Sequence, residues 1–159
     1  MLNKKLSQKG FTLLELMTVV FVISIGMVAI MNLISQAFLY ARLTRSKLIA
    51  AYLTQEGIEI VRNIRDSNWV DGVSEWNDGL QPGDFEVDYD DQALSSYADR
   101  YLRINGGFYN YDSGTITKFK RKIIIQQDAD EISVMGIVNW QEMNKDFEVR
   151  ALEKLKKWR

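Results

Sequence analysis

Residues 16–41 carry no charge over 26 positions. A helix of about 20 apolar residues crosses the hydrocarbon core of a bilayer, so this stretch is long enough to do so. Lipid offers backbone N–H and C=O groups no partner except their own ladder, which makes a helix the expected form. A secretory signal has an apolar core of about 7–15 residues followed by a small-residue cleavage site. This segment is longer and lacks such a site, so it is expected to stay on the mature chain. Lys4, Lys5 and Lys9 precede it and Arg42, Arg45 and Lys47 follow it. With three positive charges on each side, charge does not set the orientation. Gly26 is the one helix-weakening residue inside, costing about 1 kcal/mol relative to alanine.

A carboxylate stands at the head of the run, in Lys9-Gly10-Phe11-Thr12-Leu13-Leu14-Glu15-Leu16-Met17-Thr18. Intramembrane acids are costly, and they usually have a partner and a purpose. Inside an apolar bundle a charge persists only beside an opposite one.

The string resembles the class III signal of bacterial type IV pilins and of type II secretion pseudopilins, with Gly10, then Phe11, then Glu15 as fifth residue of a mature chain. The resemblance implies that a prepilin peptidase in the inner membrane cuts between Gly10 and Phe11 and then methylates the new amino group of Phe11. It implies also that Glu15 pairs with the Phe11 amine of a neighbouring subunit when the helix leaves lipid for a filament. Four helical residues rise about 6 Å, so a carboxylate and an amine so placed can set the stagger of adjacent helices. On this reading residues 1–10 are a leader, 11–41 the transmembrane and assembly half of the helix, and 42–159 a soluble domain.

Past Arg42 the apolar residues Ile49, Leu53, Ile60 and Ile64 recur near helical spacing, with Ser46 and Gly57 as small positions on the same face. Glu59 can meet Arg62 at i,i+3. One helix from about Thr12 to about Asp66 is expected, apolar all round in its first half and amphipathic in its second. Residues 52–69 also resemble the corresponding region of minor pilins of the pilus-modification type.

Residues 66–100 hold ten acids and, before Arg100, no Lys or Arg. Gly72, Gly79, Pro82 and Gly83 mark the stretch as loop, with Trp69 and Trp76 as anchors. Asp88, Asp90 and Asp91 are oxygen donors of the kind that hold calcium, but the loop pattern with a central glycine is missing, and a solvated acidic loop is the expected form.

Strands are expected at 84–89, 117–126, 132–140 and 147–152, the last three as a meander joined by short turns. A further hairpin, 101–104 with 108–111, is expected around Asn105-Gly106-Gly107. A sheet with one apolar face needs a cover, and the amphipathic half-helix is the available one. The expected fold is therefore α+β: a long N-terminal helix packed on a C-terminal antiparallel sheet, which is the pilin-like arrangement.

Lys118, Lys120 and Lys122 alternate along one strand, and residues 100–159 carry 12 basic against 8 acidic side chains. Phosphate contact with DNA is one use of such a patch. Edge-strand protection, with the acidic stretch as charge partner, is the expected one.

The chain has no Cys and no His. Packing, alone or in an assembly, must hold the soluble part without disulfides, a departure from the many type IV pilins that close a C-terminal loop with one. No nucleophile–base pair with His or Cys, phosphate loop or zinc spacing is present, and no catalytic residue, cofactor or metal is expected.

The resemblance implies a structural subunit, more like a minor pilin than a main building block. It would sit in the inner membrane by a single pass and then in an extracellular filament, with prepilin peptidase, other pilin subunits and the pilus assembly platform as partners. A minor pseudopilin of type II secretion is the nearest alternative. A membrane-anchored surface module binding a ligand or DNA is the alternative of another class.

Overall fold

The computed structural model describes residues 10–72, 75–128 and 130–157. One helix, α1 (Leu13–Asp71), opens the fold. Eight strands follow among the described residues: β1 (Gly83–Glu86), β2 (Ser95–Ser96), β3 (Arg103–Asn105), β4 (Phe108–Asn110), β5 (Thr115–Ile116), β6 (Phe119–Asp128), β7 (Glu131–Glu142) and β8 (Lys145–Lys156). The chain forms two compact units, one up to Arg42 and one from Leu43.

In the first unit α1 is unbroken through Gly26, where a Cβ would meet nothing within 4 Å. Every residue from Gly10 to Arg42 is exposed. This is a helix long and apolar enough to cross a membrane.

The second unit is the helix-on-sheet arrangement expected from the sequence. Its five-stranded antiparallel sheet has the order β2-β1-β6-β7-β8, and a smaller one has the order β4-β3-β5. The β6-β7-β8 meander is as expected, in long register with Ile123 opposite Gly136 and Trp140 opposite Phe147. Its last turn takes positive φ at both Met143 (51°) and Asn144 (60°), the two-residue turn whose twist suits a hairpin. The hairpin of β3 and β4 is also present, with the short β5 added to it.

The cover is the second half of α1, which buries Leu53, Ile60 and Ile64 as the spacing suggests, together with Ala50, Ile58 and Val61. One hydrophobic cluster joins Ile60, Ile64, Ile123, Ile125, Ile132 and Val134, and another joins Leu53, Phe119, Val138 and Trp140. Glycine sets the closeness of approach at the crossing. A Cβ on Gly57 would stand 2.7 Å from Ile123 Cδ1, and one on Gly136 only 3.0 Å from the Thr54 carbonyl oxygen.

Three details depart from expectation. The helix runs to Asp71, beyond Asp66. Besides the expected strand β1, residues 66–100 contain the end of α1 and the short strand β2. Trp76 and Leu80 anchor the stretch in the core, whereas Trp69 stays 41% exposed. The reason is apolar demand: the side chains that alternate along β1 and its flanks had a sheet face to fill, and Phe85 and Val87 pack there.

Candidate processing and assembly site

Gly10 and Phe11 lie outside the helix, and Phe11 is 84% exposed. Residues 1–9 of the expected leader, with Lys4, Lys5 and Lys9, lie outside the described residues. Thr12 is the N-cap of α1 on two counts. Its carbonyl accepts the first helical bond from the Leu16 N–H at 3.1 Å, and its Oγ1 accepts from the Glu15 N–H at 3.2 Å. The second of these satisfies a donor that a helix start otherwise leaves without a partner. Glu15 is thereby fixed as the third residue of the helix, in its first turn. An anionic side chain there faces the positive end of the helix dipole.

The sequence reading missed Thr12 although its signal was present. A Thr three residues ahead of a Glu, just before an apolar run, is the spacing of a capping box.

The other candidate surfaces resolve differently. Lys120 and Lys122 do share a face of β6, and each has a carboxylate partner: Asp99 at 2.6 Å and Asp84 at 2.5 Å. Their ammonium groups also lie 4.6 Å and 5.0 Å from the ring centres of Tyr101 and Tyr97. β6 lies between β1 and β7 in the sheet, with β1 paired to Ile123–Ile125 and not to the lysines. The lysines close ion pairs with the acidic stretch, as expected.

Lys118 departs from that face. It precedes β6, donating to Ser46 Oγ on α1 at 2.7 Å and to Glu142 Oε2 at 2.9 Å. Burial alone would raise the Glu142 pKa, but the bonds from Lys118 and Ser46 outweigh it and hold the carboxyl below its ordinary value.

The Asp88–Asp91 segment is a turn whose carboxylates serve the backbone. Asp88 accepts from the N–H groups of Tyr89 at 2.8 Å and Tyr111 at 3.1 Å, and Asp91 accepts from the Asp88 N–H at 2.6 Å. Burial still pushes the Asp88 carboxyl above its ordinary range. No group of three acidic side chains is placed to hold a metal among the described residues.

Arg121, set between Lys120 and Lys122, is fully buried. It reaches from β6 under the helix, donating to the Leu53 carbonyl at 3.2 Å and the Val87 carbonyl at 2.5 Å, with Glu56 at 3.5 Å. Its own carbonyl accepts from the Tyr111 hydroxyl at 3.2 Å, and burial pushes that phenol up to about 12. Alternation along β6 could have found it, because Arg121 falls between the inward Phe119 and Ile123.

Residues 5–31 match the family model described as the prokaryotic N-terminal methylation motif, and this supports placing the chain in the pilin and prepilin superfamily. No curated protein and no solved structure matches the chain.

Proposed function

We propose, from the N-terminal methylation motif this chain carries, that it is the precursor of a structural subunit of a type IV pilus or related filament, most like a minor pilin. Prepilin peptidase cuts between Gly10 and Phe11 and methylates the Phe11 amine. The subunit waits in the inner membrane through residues 11–41 and enters the filament with Glu15 paired to the Phe11 amine of a neighbour.

The observation that carries this reading is the junction itself. Gly10 and Phe11 lie outside the helix, Glu15 lies in its first turn, and every residue from there to Arg42 is exposed. Such a surface is satisfied by lipid or by other apolar helices and by little else. The second unit fits a structural role, with its charged side chains spent on internal pairs such as Arg100 with Glu86 and Arg62 with Glu153.

The test is intact mass after co-expression with a prepilin peptidase. Loss of residues 1–10 and gain of one methyl group is the expected result, and an unshortened chain beside active enzyme would overturn the reading. Recovery of the mature chain in sheared filaments separates a filament subunit from a lone anchored binder, for which the chain would remain wholly in the membrane fraction.

A further inference from the structure

We infer that Thr12 is a positioning residue for leader removal: its side chain ends the helix just short of the bond to be cut. The inference rests on the reading of Gly10–Phe11 as the cleavage point. Hydrolysis there adds the hydroxyl of water to the Gly10 carbonyl carbon and a proton to the Phe11 nitrogen as the C–N bond breaks. Water must reach that carbon, and the carbonyl oxygen must be free to take the hydrogen bonds that stabilise its developing negative charge. A helical carbonyl meets neither demand, because it already accepts from the N–H four residues on and the coil screens it.

Only a boundary between Phe11 and the helix keeps the bond available. Lys9 is a good helix former and Phe11 a tolerable one, so apart from Gly10 nothing in the sequence bars an earlier start. Thr12 sets the start instead. Its Oγ1 holds the Glu15 N–H at 3.2 Å while its carbonyl takes the Leu16 N–H at 3.1 Å, and an N-cap residue has non-helical backbone angles. The chain therefore leaves the helix at Thr12, with Gly10 and Phe11 beyond it and Phe11 84% exposed. The same bond fixes Glu15 at the third helical position, so one hydroxyl sets both where the chain is cut and where the carboxylate stands relative to the new terminus.

The experiment is a time course of leader loss from the full chain in membrane vesicles with a prepilin peptidase. Thr12→Val keeps the shape and removes the acceptor, and its cleavage should slow about fivefold, the weight of one lost cap. Thr12→Ser and Thr12→Asn should restore the rate, since both accept at an N-cap while Asn differs from Thr in shape. Equal rates for Thr12→Val and wild type would overturn the inference. So would an Asn variant as slow as Val, which would mean that the enzyme reads the side chain's shape. Amide exchange at Leu14 in micelles gives a readout that no protease touches: a helix that reached the cleavage point would bond the Leu14 N–H to the Gly10 carbonyl, so exchange there should slow in Thr12→Val and recover in Thr12→Asn, and unchanged exchange also overturns the inference. A wild-type chain that is never cut would defeat the processing reading itself.

Discussion

Gly136 of β7 and Thr54 of α1 meet so closely that a Cβ on the glycine would stand 3.0 Å from the threonine carbonyl oxygen. The obstacle is helix backbone, which cannot rotate aside. Gly136→Ala should therefore lift the helix from the sheet and cost about 1–3 kcal/mol. Gly57→Ala meets the tip of the Ile123 side chain first and recovers about 1 kcal/mol of helix propensity, so its loss should be smaller. Thermal melts of the unit from Leu43 onward check the order, and equal losses would mean the contact does not limit the approach.

Removal of the buried guanidinium should be among the most damaging single changes. Arg121→Met leaves the Leu53 and Val87 carbonyls without this donor, and a buried acceptor left unsatisfied costs about 1–3 kcal/mol. Arg121→Lys should not rescue it, because one ammonium cannot reproduce a fork that serves Leu53 and Val87 together. Urea unfolding is the measurement, and a Lys variant as stable as wild type would show that charge alone suffices there.

Glu142 gives the second unit a pH dependence of known sign. The bonds from Lys118 and Ser46 hold its carboxyl below the ordinary value of about 4.5, so the folded state binds its proton less readily than the unfolded one. The stabilisation is fully present above that value and is lost as pH falls through the lower folded value. The stability difference between wild type and Glu142→Gln should be constant from about pH 7 to pH 5.5 and shrink in more acid solution. A difference that grows in acid would contradict the pairing with Lys118.

The turn at Met143 and Asn144 has room for improvement. Both residues hold positive φ, at 51° and 60°, and a methionine gains nothing there that asparagine would not provide more cheaply. Met143→Asn should stabilise the unit by about 0.5–1 kcal/mol. Denaturant midpoints decide it, and a lower midpoint would mean that the half-exposed Met143 side chain contributes more than its strain costs.

For Glu15 the expected defect lies in assembly. Glu15→Gln keeps the backbone N–H that Thr12 accepts, so membrane insertion, leader removal and stability of the second unit should be unchanged. Incorporation into sheared filaments should fall, because an amide cannot neutralise a buried amine. Quantitative blots of filament and membrane fractions test this, and equal incorporation of both forms would exclude the pairing.

The long helix, its change from all-apolar to amphipathic, and the three-strand meander were legible because each repeats one physical pattern over many residues. Leu53, Ile60 and Ile64 announce a buried face by spacing alone. Arg121 was not legible as a core residue from its type, since four basic side chains at positions 118–122 read as surface. Only its parity with Phe119 and Ile123 places it inward. The acidic stretch was legible as a charge partner for the lysines, but the individual pairs were not: Asp84, Glu86 and Asp99 meet Lys122, Arg100 and Lys120 only after the sheet has formed. The distinction between Trp76, buried, and Trp69, exposed, depends on where the helix stops, and nothing before Gly72 marks that stop strongly.

The uniform exposure of the chain from Gly10 to Arg42 has a kinetic corollary. Each large apolar side chain left in water forgoes about 1.5–3 kcal/mol, and this segment carries many of them, from Phe11 through Tyr40. A free aqueous monomer is consequently not a station on any route out of the bilayer. Departure from lipid and docking on a receiving surface must overlap in time, so that contact with one is gained turn by turn as contact with the other is given up. The rate of growth of any assembly built this way would be governed by that exchange at the membrane face, and not by diffusion of subunits through solution.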